Sequence, residues 1–186
     1  MHMVHWVFGY GSLMWDPGFK PAETVKARLE GYARSFCLRS TQFRGTEAAP
    51  GLVLGLDRNS GSACDGMAMR IPGAEHDEVM AYLHAREMST DAYIETIVTL
   101  DLEDGRQVEA LTYTMRKDHD HYACGLSLSE QARIIATAQG RRGPNADYLF
   151  NTAQHLREIG LADLAMNQLS DEVSRLLKPI QPKNSG

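Results

Sequence analysis

Apolar and polar positions divide the chain into a strand-like first part and a helical last part. Trp6-Val7-Phe8 is a short apolar run that stops at Gly9-Tyr10-Gly11-Ser12. Residues 35–41, 52–57 and 66–71 are further strand-like segments bounded by Gly, Pro and Asn. Residues 92–102 and 107–115 are rich in β-branched and aromatic side chains, and Glu103-Asp104-Gly105 between them predicts a hairpin turn. Residues 24–29 read equally as strand or helix. One helix, 76–88, interrupts this region. Beyond residue 125 the period becomes helical. Ser127-Leu128-Ser129-Glu130 is a capping box, with Ile134, Ile135 and Ala138 following and Gly140 as the stop. Gly143-Pro144-Asn145 leads into a second helix, with Leu149, Thr152, Leu156 and Ile159 on one face and Gly160 at its end. Asp163 caps a third that ends near Leu177, and residues 179–186 are expected to form a flexible tail. Many short strands with a helix packed on them predict an α+β fold, a small mixed β-barrel with flanking helices, in one domain over residues 1–178.

Composition narrows the function. The chain has 186 residues, 43% hydrophobic and 23% charged, which is long and apolar enough for a real core. The net charge of -5 and pI near 5.8 give no basic surface for nucleic acid. No apolar stretch reaches the ~18–20 residues needed to cross a bilayer, and the first residues lack a secretory pattern. Cys37, Cys64 and Cys124 are odd in number and far apart, so buried free thiols in a reducing cytoplasm are expected instead of disulfides or a zinc site.

Glu87 is the first candidate for chemistry. Val79, Leu83 and Glu87 share one helix face, so Glu87 extends a buried stripe, with no partner four residues away on either side. A carboxyl placed there has a raised pKa suited to proton transfer near neutrality. The alternatives are that the helix frays and Glu87 faces solvent, or that it pairs with an arginine from elsewhere. The second candidate is Gly9-Tyr10-Gly11-Ser12-Leu13, where two glycines permit positive φ and close approach of a ligand to the backbone, or simply end a strand. A third glycine and a following helix, which a dinucleotide site requires, are missing. Asp118-His119-Asp120-His121 carries metal-capable side chains but has no further His or Cys cluster near it in sequence, so a solvated loop is favoured over a metal site.

These features occur together in a chain that resembles ChaC-type γ-glutamylcyclotransferases along nearly its whole length. The matching segments are Val7-Phe8-Gly9-Tyr10-Gly11-Ser12-Leu13-Met14-Trp15, Arg44-Gly45-Thr46 with Ala49-Pro50-Gly51, Tyr82-Leu83-His84-Ala85-Arg86-Glu87-Met88, and Gly140-Arg141-Arg142-Gly143-Pro144-Asn145 with Tyr148-Leu149. The resemblance implies a γ-glutamylcyclotransferase-type barrel. It also implies that Tyr10, Gly11, Ser12 and Leu13 hold the γ-glutamyl group, that Glu87 is the catalytic acid/base, and that Tyr93, Tyr113 and Tyr122 line the cavity. One departure is Leu52, where such sequences carry an arginine.

The implied reaction converts glutathione to 5-oxoproline and Cys-Gly in the cytoplasm. It needs no metal, nucleotide or covalent nucleophile, and its partner is a small molecule, with no role for nucleic acid or membrane. The leaving group's terminal carboxylate would suit an arginine, Arg39 or Arg44. Two alternatives remain: a cyclotransferase for other γ-glutamyl amines or amino acids, and a non-catalytic γ-glutamyl-binding module. Loss of activity would be expected to leave a glutamine at position 87, and a glutamate stands there.

Overall fold

The protein is described by a computed structural model covering residues 3–178. The expected tail, 179–186, lies outside the described residues. Strands β1 (Trp6–Gly9), β2 (Glu23–Ser40), β3 (Gly51–Arg70), β4 (Tyr93–Leu102) and β5 (Gln107–Met115) form a closed barrel in the order β1-β3-β2-β4-β5. β1 runs antiparallel to β3, with Phe8 opposite Ala68, and parallel to β5, with Trp6 opposite Ala110. The α+β barrel is therefore as expected, and it is fully closed. β4 and β5 form the hairpin expected from Asp104-Gly105, with Tyr93 opposite Met115 at its open end.

The segments 24–29 and 35–41 belong to one strand, β2, except that Thr41 falls in the bend beyond it; 52–57 and 66–71 are the two ends of β3, which stops at Arg70. The polar stretch between the ends of β3 looks like a loop in sequence. It stays in the sheet because Gly61, at φ +87°, lets the strand turn without ending.

Alternation along β1 divides the core of this region in two. Trp6 and Phe8 join Leu29, Tyr32, Leu56, Leu100 and Ala110 in one cluster. Val7 points the other way and packs with Leu13, Met69, Leu111 and Tyr113 against Val79 and Leu83 of helix α1 (His76–Glu87). That second cluster ties the loop after β1, helix α1 and strand β5 together.

The chain divides into two compact units, one made of residues up to Leu38 with Leu54–Tyr122, the other of Arg39–Val53 with the residues from Ala123 onward. In the second unit, helices α2 (Leu128–Thr137), α3 (Asn145–Glu158) and α4 (Leu164–Leu177) pack on one another, with the short strands β6 (Gln139–Gly140) and β7 (Gly143–Pro144) between α2 and α3. The Ser127–Glu130 capping box forms as expected. Asn145 is fully buried and clasps the Leu52 backbone: Leu52 N–H donates to Asn145 Oδ1 at 2.7 Å, and Asn145 Nδ2 donates to the Leu52 carbonyl at 2.8 Å. Leu52 itself is completely buried, so this departure from the resemblance lies in the core. Cys37 and Cys64 are buried free thiols, with burial pushing the Cys37 thiol up to about 11. Cys124 is exposed, which corrects the expectation of three buried thiols.

Candidate active site

The loop after β1 is a single turn of 3₁₀ helix, Ser12–Met14. Met14 N–H donates to the Gly11 carbonyl at 2.9 Å and Asp16 N–H to the Ser12 carbonyl at 2.8 Å. The N–H groups of Ser12 and Leu13 open the turn, where a helix has no carbonyl of its own to offer them. Leu13 and Met14 are buried and anchor the turn. Arg34 Nη1 donates to the Tyr10 carbonyl at 3.0 Å and to the Asp65 carbonyl at 3.0 Å, holding the start of the loop to the barrel. Tyr10 hydroxyl donates to the Tyr113 carbonyl at 2.9 Å.

The glycines differ from expectation. Neither Gly9 nor Gly11 has positive φ; Gly11 lies at φ -140°. A Cβ on Gly11 would meet only Leu54 Cδ1, at 3.7 Å, whereas one on Gly9 would meet Met69 Cε at 3.0 Å and Met14 N at 3.1 Å. Gly9 is thus tightly packed, and Gly11 leaves open space beside the turn. The positive φ in this region is at Gly18, +76°, where a Cβ would fall 2.1 Å from the Tyr82 hydroxyl oxygen.

Glu87 is the last residue of α1, one turn beyond buried Leu83, and its side chain is only 20% exposed. Burial pushes its carboxyl above the ordinary value, against the opposing pull of the Arg86 guanidinium. The negative end of the helix dipole acts in the same direction as burial. The expected lack of a local partner is corrected by Arg86, whose Nε lies 3.1 Å from Glu87 Oε1. Neighbouring residues on a helix do not normally face each other. They meet here because the helix ends at Glu87 and Arg86 reaches across to the loop. Arg86 Nη1 donates to the Asp16 carbonyl at 2.7 Å and the Tyr82 hydroxyl at 3.2 Å, and Nη2 donates to Ser12 Oγ at 3.2 Å.

Tyr113 hydroxyl donates to Glu95 Oε1 at 3.4 Å, and His84 Nδ1 lies 3.0 Å from the same oxygen. Burial pushes the Tyr113 phenol up, and the negative charges of Glu95 and Glu87 push it further. Tyr113 therefore stays protonated and belongs with Glu87. Tyr93 hydroxyl donates at 3.1 Å to the carbonyl of Leu54, the residue whose Cδ1 faces Gly11. Tyr122 hydroxyl donates to an Asp57 oxygen, and Lys117 Nζ lies 3.3 Å from the other.

Arg44, one of two arginines expected to meet a carboxylate, has Nη1 bonded to the Arg142 and Pro144 carbonyls at 2.7 and 3.1 Å and its guanidinium over Tyr148. Both nitrogens of His119 are engaged, Nε2 with Asp91 Oδ1 at 2.9 Å and Nδ1 with the His121 N–H at 3.1 Å. Among the described residues, no three His, Cys, Asp or Glu side chains gather as a metal would require, and no helix is long and apolar enough to cross a membrane.

Sequence reasoning missed Arg34, Arg86 and the Gly18–Tyr82 contact. Arg86 was signalled only by its place in the last turn of a helix, where cations are favoured. Arg34 had no local signal, since its partner carbonyls lie 24 and 31 residues away.

Comparison with known proteins agrees with this architecture. The family model described as ChaC-like protein matches residues 5–176. The glutathione-specific γ-glutamylcyclotransferase of Escherichia coli (strain K12) is 40% identical over 172 residues, covering 92% of this chain and 74% of that protein. The glutathione-specific γ-glutamylcyclotransferase of Schizosaccharomyces pombe is 31% identical, covering 93% of this chain and 94% of that protein. The crystal structure of a yeast γ-glutamyl cyclotransferase specific to glutathione superposes with a TM-score of 0.81 at 24% identity, covering 94% of this chain and 97% of that one, which establishes the shared fold.

Proposed function

The chain belongs to the ChaC-like family, and from that premise we propose that it cleaves glutathione to 5-oxoproline and Cys-Gly, with Glu87 as the proton carrier. The observation that carries this is the single guanidinium of Arg86, which bonds both Ser12 of the loop and Glu87 of the helix and so puts the two candidate features side by side. Tyr10, Gly11, Ser12 and Leu13 hold the γ-glutamyl group, the opening N–H groups of the turn donating to its oxygens. Tyr113 and Tyr93 line the cavity beside them, and Tyr122 is assigned to the same lining from the family resemblance. The domain is taken as residues 1–178, acting in the cytoplasm on a small molecule without nucleic acid or membrane.

The reaction is intramolecular. The α-nitrogen of the glutamyl group bonds to its own γ-carbonyl carbon, and the bond from that carbon to the cysteine nitrogen breaks. Folding the substrate into a five-membered approach supplies most of what proximity can give. The attacking nitrogen begins as an ammonium and ends as a ring amide, losing two protons; the leaving nitrogen begins as an amide and ends as an ammonium, gaining two. Glu87 carries protons from the first to the second. Oε1 is held by Arg86, and Oε2 takes no hydrogen bond from the described residues, which leaves it for the substrate.

The test is to incubate the pure protein with glutathione and measure 5-oxoproline, alongside γ-glutamylcysteine and γ-glutamylalanine. Glutathione should have the highest kcat/KM, and Glu87→Gln should lower turnover at least ~100-fold in a folded protein. Equal turnover of γ-glutamylalanine would remove the glutathione preference and leave a general cyclotransferase. A folded Glu87→Gln protein with full activity would remove Glu87 from the mechanism.

A further inference from the structure

We propose that Arg86 is a positioning residue that governs two steps at once, the seating of the substrate loop and the ionisation of Glu87, through different N–H groups of one guanidinium. The inference rests on the cyclotransferase function proposed above and extends it to a residue that touches neither reacting nitrogen.

A guanidinium has five N–H donors in a rigid plane. Arg86 directs Nε at Glu87 Oε1, Nη1 at the Asp16 carbonyl and the Tyr82 hydroxyl, and Nη2 at Ser12 Oγ. Its side chain is 22% exposed, so these are partly dehydrated charge-assisted bonds and not a solvated surface pair. The contacts reach two parts of the site. Nη1 and Nη2 fix both ends of the 3₁₀ turn whose opening N–H groups meet the substrate, while Nε fixes one oxygen of the proton carrier. Because the guanidinium is planar and rigid, a shift of the turn moves the donor at Glu87 as well.

The charges around Glu87 come from every element packed there. On α1 the titratable groups are Arg86, Tyr82, whose hydroxyl accepts from Arg86, and, one turn back, His84. β5 supplies Tyr113, whose hydroxyl is neutral, and β4 supplies Glu95, already engaged by Tyr113 and His84. The loop offers only the Ser12 hydroxyl and the Asp16 carbonyl to Arg86. Arg86 is thus the one cation bonded to the Glu87 carboxylate among the described residues, and without it burial favours the protonated form unopposed.

Two substitutions separate the roles. Arg86→Gln removes the charge and the fork; Arg86→Lys keeps a charge but cannot reach Ser12, Asp16 and Glu87 together. The Glu87 carboxyl titration, followed by carbon-detected NMR in the ligand-free protein, should move to higher pH in Arg86→Gln and stay near wild type in Arg86→Lys. The acid limb of kcat/KM should follow the same order. KM for glutathione should rise about tenfold or more in both variants, since each loses charge-assisted bonds to the loop. Circular dichroism checks that each variant is folded, and if Arg86→Gln does not fold, the KM and titration of Arg86→Lys still decide the outcome. An unchanged Glu87 titration in folded Arg86→Gln, or a wild-type KM in folded Arg86→Lys, overturns the inference. Absence of glutathione turnover by the wild type would instead defeat the proposed function, and the NMR titration would still judge Arg86.

Discussion

Asn145→Ala tests the clasp on which the second unit is built. The native side chain is completely inaccessible and exchanges two short hydrogen bonds with Leu52, itself fully buried. Alanine leaves the Leu52 N–H without its acceptor and deprives the Leu52 carbonyl of a donor. A buried donor without a partner costs about 1–3 kcal/mol, and a lost bond to a carbonyl about 1 kcal/mol more. A total near 3 kcal/mol is about 6–12 °C in the melting midpoint of a chain of this length. Thermal melts followed by circular dichroism measure it. Asn145→Asp sharpens the test. An ionised carboxylate accepts from the Leu52 N–H but repels the Leu52 carbonyl, whereas the protonated acid can donate to it. The folded pKa of that aspartate should therefore be raised, so its contribution is present below the unfolded value and lost as pH rises through the folded one. Asn145→Asp should approach wild-type stability only in acid. A drop of less than about 2 °C in Asn145→Ala would show that water or a backbone shift replaces both bonds, refuting the clasp.

Two further outcomes follow from the site. Burial raises the Glu87 pKa, so its contribution to stability is present below the unfolded value and lost as pH rises through the folded one; permanently neutral Glu87→Gln should melt above wild type at pH 8 and lose that advantage below pH ~4, and a lower melting point at pH 8 would contradict the buried carboxylate. Gly9→Ala should destabilise the fold through contacts at 3.0 and 3.1 Å, while Gly11→Val should keep the melting point, since a Cβ there meets only Leu54 Cδ1 at 3.7 Å, and raise KM for glutathione; near-wild-type kinetics in Gly11→Val would reduce the loop to a strand-ending turn.

Local features were legible where their cause is local. The Ser127–Glu130 capping box, the Asp104-Gly105 hairpin and the placement of Glu87 at the end of the Val79–Leu83 stripe all depend on residues within a few positions. The continuity of β3 was hidden because its middle is polar and depends on a sheet neighbour, and barrel closure depends on β1 pairing with β5 across more than a hundred residues. Positive φ was expected at Gly9 and Gly11 because glycines beside a candidate loop suggest it. The feature that decides is whether a Cβ has space, which only the packing of Met69 and Met14 reveals. Arg86 sat next to Glu87 in plain view, but its role depends on Ser12, 74 residues away.

The surroundings of Glu87 favour it over the adjacent ionisable groups as the proposed proton carrier. Three ionisable oxygen-bearing groups cluster there: Glu87, Glu95 and Tyr113. Tyr113 is driven to its neutral form by burial and by both carboxylates, so it can donate a hydrogen bond but cannot serve as a base near neutral pH. Glu95 shares one oxygen between the Tyr113 hydroxyl and His84, and is 35% exposed. Glu87 is more buried, holds one oxygen against Arg86, which also bonds Ser12 of the turn, and has the other without a partner among the described residues. Burial and the helix end favour its acid form, and Arg86 favours its base form. A group that must take a proton and return it within one turnover is served by opposed influences of this kind. Glu95, engaged through one oxygen by Tyr113 and His84, is better read as the acceptor that fixes the Tyr113 hydroxyl.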